Sequence, residues 1–315
     1  MYQHQQLLDR AQKLGLGIKD VSRLMHKHAA ILEKDDVSEL VIDGIPTSWI
    51  NVRSQFYCDN KQLTKFAYEG LNIPYPKGIA FANPRDQELQ SFVKEGQTYV
   101  CKPLDGTNGV GVQMNIRSLG EVHTYYENFG HLDANFLIEE QIEGVDMRIH
   151  VMQGKIVAAC IREPAFVLGN GKASLETLIE ERRAEMRSQN PNNVLVLDAV
   201  SNELLRTQQV VLSDIPANNQ KIILKNVANI AQGGIPIDIT DDLHPIYQKW
   251  VTALSNYLKT GYFGLDVIAK DYTKHPIGQA YVIEINARAD WLHHTFSKHK
   301  THDIAGIILS ELFTE

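Results

Sequence analysis

Two short segments near the carboxyl end most constrain what this chain can fold into. Apolar and polar residues alternate over 280–286, which predicts a β-strand whose Glu284 and Asn286 side chains point to the same face. The earlier apolar stretch 261–270 carries Asp266, and the loop between the two segments predicts a β-hairpin. Three hard oxygen ligands on paired strands suit Mg²⁺, which takes its remaining ligands from water and phosphate. The hairpin therefore indicates a metal site and the handling of a nucleotide triphosphate. Acidic side chains on a strand often only face solvent, and this is the alternative to a metal site. The hairpin alone does not decide between them, but features elsewhere in the chain favour the metal site.

Length and charge limit the class of protein. With 315 residues, 43% of them hydrophobic, the chain is long enough for two or three globular lobes with a sizeable core. Its formal net charge of -7 gives no general affinity for nucleic acid or anionic membrane, so phosphate binding must come from a local site. We therefore expect neither a nucleic-acid nor a membrane partner. Because the start has no signal-like apolar core and no apolar run approaches the roughly 20 residues of a membrane span, we expect a soluble, cytoplasmic protein.

The cysteines and histidines show no metal-binding spacing. The cysteines are Cys58, Cys101 and Cys160. They are widely spaced and odd in number, which suits a reducing compartment, and we expect them to be small buried or half-buried hydrophobic residues. Histidines cluster near the carboxyl end, at His293, His294, His299 and His302. Their spacing fits no standard zinc motif and Mg²⁺ avoids imidazole, so we assign them no metal.

Hydrophobic periodicity predicts mixed helices and strands. The first 57 residues carry no catalytic signature, and a helix that Asp59 or Asn60 can cap then leads into the main domain. The run 135–163 predicts a meander of antiparallel strands. Residues 164–220 are less regular, and we expect a mobile, substrate-facing insertion there. Further helices are expected around 7–14, 26–34, 86–94, 118–130, 174–188, 245–261 and 303–313, and further strands around 40–42, 98–102, 112–116 and 221–227.

A glycine-rich loop follows Lys102 between two predicted strands. The order of Gly106, Gly109 and Gly111 differs from a dinucleotide fingerprint, and a strand follows where that fingerprint needs a helix. We predict a flap whose backbone N–H groups close over phosphates, with Lys102 neutralising their charge. An ordinary glycine-rich turn is the alternative. A protein kinase is disfavoured because H-R-D and D-F-G motifs are lacking.

In their order along the chain, these features resemble the ATP-grasp superfamily of carboxylate–amine ligases. Within it, the chain is similar to the ATP-grasp domains of cyanophycin synthetase, bifunctional glutathione synthetase and the ribosomal-protein glutamate ligase. The resemblance spans roughly residues 58–314 and is carried by KPLDGTNGVGV, EEQIEGVDMRIHVMQGKIVAACIREPA, LKNVANIAQGGIPIDITDDLHP, GLDVIAKD and YVIEINA. It implies an α+β ATP-grasp fold in which two lobes with antiparallel sheets grip ATP. The implied domains are a short N-terminal region, 1–57, and an ATP-grasp domain, 58–315, made of a nucleotide-flap lobe, 58–140, and a metal and substrate lobe, 141–315.

The resemblance also implies roles for individual residues. Lys61 and Lys102 would contact ATP phosphates, and Asp146 would accept hydrogen bonds from the ribose. Two Mg²⁺ ions, or Mn²⁺ in their place, would share Glu284 as a ligand. The hinge that holds adenine would be Glu139, Glu140, Gln141 and Ile142. Arginines that steady the transferred phosphoryl group would be Arg148 and Arg162, and the loop near the acceptor would be Asn229, Gly233 and Gly234.

The sequence departs from these relatives at Arg288, where they usually show a small residue followed by Pro-Gly. A guanidinium there could bind a substrate carboxylate or pair with Asp290, and the choice of substrate is open. The expected activity is ATP-dependent formation of an amide through an acyl phosphate, with release of ADP and phosphate, on amino-acid or peptide substrates. The alternatives are a catalytically silent nucleotide-binding regulator and an enzyme with another acceptor. Self-association is also left open.

Overall fold

The computed structural model describes residues 2–105, 110–132 and 134–313, which form ten α-helices and fifteen strands. The helices are α1 Tyr2–Lys13, α2 Ser22–Met25, α3 Val52–Asp59, α4 Lys61–Gly70, α5 Gln87–Phe92, α6 Leu119–Phe129, α7 Leu175–Gln189, α8 Ala199–Thr207, α9 Ile246–Leu258 and α10 Ile304–Phe313. The strands are β1 Gly17–Asp20, β2 Ala29–Lys34, β3 Val37–Ile42, β4 Ile45–Pro46, β5 Gly78–Phe81, β6 Tyr99–Pro103, β7 Gln113–Ile116, β8 Phe136–Glu140, β9 Val145–Met152, β10 Lys155–Glu163, β11 Phe166–Leu168, β12 Lys221–Ile223, β13 Ile235–Asp238, β14 Tyr262–Ala269 and β15 Ala280–Asn286.

The chain divides into two compact units. Unit 1 comprises 1–48, 158–240 and 290–315, and unit 2 comprises 49–157 and 241–289. This division does not test the predicted domain limits, which stay a prediction. Within the described residues, no helix is both long enough and apolar enough to cross a bilayer.

Unit 2 contains an antiparallel sheet with the strand order β5-β8-β6-β7. Its inward side chains, among them Phe81, Tyr99 and Ile138, share a core with Val122 and Tyr125 of α6. The alternation of the strands places their apolar residues on the face covered by the helix. The carboxyl end of β8 is thereby fixed in place.

Unit 2 also contains the antiparallel strands β9, β14 and β15, with β14 in the middle. Ile149, Leu265 and Ile285 lie side by side and are fully buried, because directly opposite residues on antiparallel strands share a face. Helices α3 and α4 contact β15. The neighbouring residues on these strands therefore point to the opposite, polar face.

Unit 1 contains a four-stranded meander, β1 to β4, and helix α1 packs against α10. Strand β13 pairs with the part of β10 that lies in this unit. Helices α7 and α8 and the β11–β12 pair surround a separate core that includes Leu178, Ile179, Leu205 and Ile222. The region predicted to be an insertion thus has packed helices of its own, and its mobility stays a prediction.

Two predicted elements are wrong. Residues 26–34 were expected to be helical, but 29–34 form strand β2 because pairing with β1 and β3 buries Ala29, Ala30 and Leu32. The meander predicted over 135–163 is interrupted, since β8 belongs to the sheet with β5 and β6.

The interruption lies at Gly144. Its φ of +154° is a conformation that L side chains rarely adopt, and a Cβ there would lie 2.5 Å from the Ala269 carbonyl oxygen. The glycine therefore permits the change of direction between β8 and β9.

Candidate nucleotide and metal site

The predicted β-hairpin is present in unit 2 and brings the three predicted metal ligands to one face. Asp266 on β14 lies directly opposite Glu284 on β15, and Gly264 lies opposite Asn286. On the other side of β14, Arg148 of strand β9 lies directly opposite Asp266. A row of Arg148, Asp266 and Glu284 therefore crosses three adjacent strands.

Asp266 accepts two hydrogen bonds from the Arg148 guanidinium. Arg148 Nε donates to Asp266 Oδ1, and Arg148 Nη2 donates to Oδ2 at 3.0 Å. This bidentate geometry is the strong form of an arginine–carboxylate pair. Gly264 leaves room for it, because a Cβ there would lie 3.1 Å from Arg148 Cδ and 2.5 Å from Ala289 Cβ. The arginine predicted to steady phosphate is thus held at a predicted metal ligand.

Lys61 pairs with the other predicted metal carboxylate. It is the first residue of α4, whose start is capped by the Asn60 side chain accepting from Leu63 N at 2.8 Å. Its Nζ lies 3.5 Å from Glu284 Oε1 and donates to the Leu104 carbonyl at 3.4 Å. Glu284 keeps 26% of its side-chain surface exposed, which leaves the carboxylate accessible to a ligand.

The predicted phosphate lysine, Lys102, forms a buried triad with two other residues. Glu139 accepts from Lys102 through Oε1 and from Lys65 through Oε2 at 2.8 Å, and Lys65 also donates to the Pro76 carbonyl at 2.7 Å. Burial would raise the pKa of Glu139, but the two ammonium groups outweigh it and lower that pKa. Burial also lowers the pKa of Lys65, against the opposing effect of Glu139.

The prediction from sequence missed Lys65. The signal was present, because residues four apart on a helix share a face and Lys65 follows Lys61 by one turn of α4. An apolar helix face that carries two lysines indicates that both meet acids inside the protein.

The predicted adenine hinge lies at the end of β8. The N–H groups of Glu140 and Gln141 donate to the carbonyls of Lys77 and Thr98, at 2.8 and 2.9 Å. Among the described residues the N–H of Ile142 has no such partner. Within the predicted hinge, that N–H is therefore able to donate to a purine nitrogen.

Two further predictions concern nucleotide binding, one at Asp146 and one at the glycines of the predicted flap. Asp146 lies on β9 opposite Ile268, on the same face as Arg148 two residues further on. Of the flap glycines, Gly106 and Gly109 lie outside the described residues. Gly111 has a φ of +71°, and a Cβ there would approach Pro103 Cγ to 2.9 Å. A glycine is therefore required at position 111, just before β7.

The predicted acceptor residues belong to unit 1. Asn229 accepts from Ala231 N through its side chain, and its carbonyl accepts from Gly234 N at 2.9 Å. Gly233 has a φ of +103°, so Asn229, Gly233 and Gly234 form one tight turn.

The two remaining predicted arginines lie in different units. Arg162 lies on β10 in unit 1, and Arg288 is exposed in unit 2.

Arg182 of α7 holds the carbonyls of that turn and was not predicted. Its Nη2 donates to the carbonyls of Gly233 and Gly234, at 3.3 and 3.5 Å. It lies on the buried face of α7 with Ile179 and Met186, at helical spacing. An arginine on an otherwise apolar face was the available signal.

The donor set of the hairpin fits a hard cation. Asp266, Glu284 and Asn286 present carboxylate and amide oxygens from two paired strands, the ligand type that Mg²⁺ prefers. The Asn286 amide nitrogen is buried and has no hydrogen-bond partner among the described residues, so the amide remains available to turn its oxygen to an ion. Lys61, Lys102 and Arg148, the residues predicted to contact phosphate, lie in the same unit and pair there with Glu284, Glu139 and Asp266.

Known proteins resemble the chain in sequence and in fold. No protein-family model matches the chain. Cyanophycin synthetase from Trichormus variabilis is 30% identical over 263 residues, which are 81% of this chain and 29% of that protein. The glutathione biosynthesis bifunctional protein GshAB from Mannheimia succiniciproducens is 26% identical over 298 residues, 89% of this chain and 39% of that protein. A bifunctional glutathione synthetase from Pasteurella multocida has a similar structure, with a TM-score of 0.75 and 21% identity, over 99% of this chain and 44% of that one.

The chain therefore has the α+β ATP-grasp fold, which confirms the predicted fold class and the resemblance found in the sequence. Its relatives include cyanophycin synthetase and bifunctional glutathione biosynthesis proteins. The chain spans less than half the length of each of these relatives.

Proposed function

We propose that the protein is an ATP-dependent carboxylate–amine ligase that joins amino-acid or peptide substrates through an amide bond. The observation that carries this proposal is the row of Arg148, Asp266 and Glu284 across β9, β14 and β15, with Lys61 at its end. Oxygen ligands and cations for phosphate lie on one face, as a metal–triphosphate complex requires.

In this proposal Asp266, Glu284 and Asn286 hold Mg²⁺, two ions with Glu284 as the shared ligand. The bound ions would neutralise charge on the phosphates and keep attacking and leaving oxygens in line. Mn²⁺ suits the same oxygen ligands.

The ion pairs of the site indicate how its charges would be compensated when a nucleotide binds. Arg148 and Lys61 neutralise Asp266 and Glu284, which would otherwise be partly buried and unpaired. When these carboxylates turn to a cation, the arginine and the lysine become available for the phosphate oxygens. Exchange of partners keeps each charge compensated, so that binding leaves no buried charge alone.

The hinge and β9 would bind the nucleoside. The N–H of Ile142 donates to adenine and Asp146 accepts from the ribose hydroxyls, while Lys102 binds phosphate beneath the flap that contains Gly111. The acid substrate would be phosphorylated to an acyl phosphate, and attack by the amine would release phosphate. Positioning and charge neutralisation supply most of the rate enhancement in such a transfer.

In unit 1, the turn formed by Asn229, Gly233 and Gly234 would present backbone to the acceptor, with Arg162 as a cation for the acyl phosphate. Arg288 would bind a substrate carboxylate. A cytoplasmic location, with neither nucleic acid nor membrane as partner, stays a prediction from composition.

A catalytically silent nucleotide-binding regulator is the second candidate, and product analysis separates the two. Purified protein with Mg²⁺-ATP is screened against pairs of amino acids and short peptides, with ADP and AMP measured by chromatography and products by mass spectrometry. A ligase of this type releases one ADP per amide formed. Release of AMP would contradict the acyl-phosphate route, and ATP binding without turnover in the whole screen would favour the regulator. Asp266→Asn is the matched variant that should lose turnover if the metal assignment is right.

A further inference from the structure

Three metal-ligand side chains meet in unit 1, outside the nucleotide site. Cys160 comes from β10, and His293 and His294 are adjacent on the 3₁₀ turn Leu292–Thr295. One donor atom of each residue lies within 4.8 Å of the donor atoms of the other two. All three side chains are buried, Cys160 and His294 completely. A thiol and two imidazoles thus surround one small interior volume.

We propose that Cys160, His293 and His294 form a binding site for a thiophilic transition-metal ion, of which Zn²⁺ fits the donor set best. A thiolate with imidazole nitrogens is a soft to borderline ligand set, which favours Zn²⁺ over the hard cations Mg²⁺ and Ca²⁺. Bond lengths of about 2.3 Å to sulfur and 2.0–2.1 Å to nitrogen place the ligand atoms of one tetrahedral ion roughly 3.5 Å apart. The three donor atoms, within 4.8 Å of one another, would move closer together to reach that spacing when an ion binds.

The surroundings of the cluster match those of a metal site. Asp238 on β13 lies directly opposite Cys160, so the two side chains share a face. The Asp238 carboxylate accepts from Thr240 Oγ1 at 2.8 Å and lies 2.6 Å from His302 Nε2. The backbone N–H of His302 in turn donates to the His294 carbonyl at 3.0 Å. A hydrogen-bonded acid beside the ligands compensates the charge of an ion and orients the ligands.

A metal here would tie the turn 291–302 to β10. That turn is already joined to β13, where Lys298 N donates to the Pro236 carbonyl at 2.9 Å and the Lys298 carbonyl accepts from Asp238 N at 3.0 Å. Because the three ligands come together only in the folded chain, binding would add to the free energy of unfolding. The site is therefore structural in this proposal, and it does not depend on the proposed ligase activity.

Sequence spacing could not reveal this site. The histidines alone fit no zinc motif, and the third donor, Cys160, lies far earlier in the chain and meets them only after folding.

Co²⁺ tests the proposal, because a thiolate ligand gives a charge-transfer absorption that oxygen ligands do not. Full-length protein in reducing buffer, with excess Mg²⁺ to occupy the hairpin, is titrated with Co²⁺. We expect the absorption to saturate at one equivalent in the wild type, to be retained in the matched control Cys101→Ala, and to disappear in Cys160→Ser. Absence of the absorption in the wild type, or its persistence in Cys160→Ser, would overturn the proposal.

X-ray absorption spectroscopy of the Zn²⁺-loaded wild type gives a second test that needs no variant. The expected first shell contains one sulfur at about 2.3 Å and nitrogens at about 2.0–2.1 Å. A shell of oxygen and nitrogen alone would contradict the site while leaving the ligase proposal unaffected.

Discussion

Three acids of the candidate nucleotide and metal site pair with cations of the same unit. Asp266 pairs with Arg148, Glu284 with Lys61, and Glu139 with two lysines. Buried or partly buried carboxylates are stable only with such partners, because burial removes their hydration. The charges of the site are therefore compensated within the protein itself. Removing one partner leaves the other charge buried and unpaired, which destabilises the folded state.

Glu139→Gln should be the most destabilising of these changes. It leaves the ammonium groups of Lys65 and Lys102 buried without their shared carboxylate, and breaking a buried pair costs about 3–5 kcal/mol. Urea unfolding measures the loss, with the exposed Glu95→Gln as the control. Adding Lys65→Met to Glu139→Gln should restore part of the stability. A loss below about 1 kcal/mol would show that the triad is not closed in solution.

His150 should make stability depend on pH. Burial, together with the nearby Arg148, lowers its pKa from 6.5 to about 3. Between these values the unfolded chain binds a proton that the folded chain does not, so acidification below pH 6.5 destabilises the protein. The contribution is about 1.4 kcal/mol per pH unit.

The measurement compares urea unfolding at pH 7 and pH 5. The wild type should lose about 2 kcal/mol more than His150→Gln over this interval. The exposed His26→Gln is the control and should behave as the wild type does. Equal losses in wild type and His150→Gln would mean that His150 is protonated in the folded state.

At the scale of single elements, strand β14 determines the geometry of the candidate site. It lies between β9 and β15 and aligns residues from both. At Gly264 on β14 there is no room for a side chain, since a Cβ would lie 2.5 Å from Ala289 Cβ. The glycine lets the strand approach Arg148 and the segment after β15.

Gly264→Ala should therefore destabilise the protein by about 1–3 kcal/mol, the usual cost of overpacking. It should also raise the Mg²⁺ concentration needed for nucleotide binding, because displacement of β14 shifts Asp266. Gly70→Ala is the matched control, since a Cβ at Gly70 meets nothing within 4 Å. Unfolding and calorimetric titration report the two effects. Equal behaviour of both variants would show that β14 tolerates the methyl group.

Some helices and strands could be predicted from their own residues, and others could not. The β14–β15 hairpin, α4 and α7 were predicted because their own residues carry the signal: strict alternation, and caps at Asn60 and Ser174. Strand β2 and the sheet to which β8 belongs were not predicted. Strand pairing depends on residues elsewhere in the chain, which a local pattern does not contain.

At the scale of the whole molecule, the sequence predicted the fold and the placement of the three proposed metal ligands on one hairpin. It did not predict which side chains pair with one another across the fold. Asp266, Glu284 and Asn286 lie on one hairpin, so local pattern brings them together. Lys65 meets Glu139 from a distant helix, and Cys160 meets the histidines from a distant strand. Such contacts exist only after the chain has packed, so that no local window contains them.

Mg²⁺-dependent binding of a non-hydrolysable ATP analogue tests the central claim most directly, because it needs no knowledge of the substrates. Isothermal titration calorimetry compares wild type, Glu284→Gln and the control Glu95→Gln, with and without Mg²⁺. We expect wild type and control to bind only with Mg²⁺, and Glu284→Gln to bind at least about 100-fold more weakly, the scale of a lost charge-stabilising group. Equal Mg²⁺-dependent affinity in folded Glu284→Gln would contradict the assignment of the β14–β15 hairpin as the metal site.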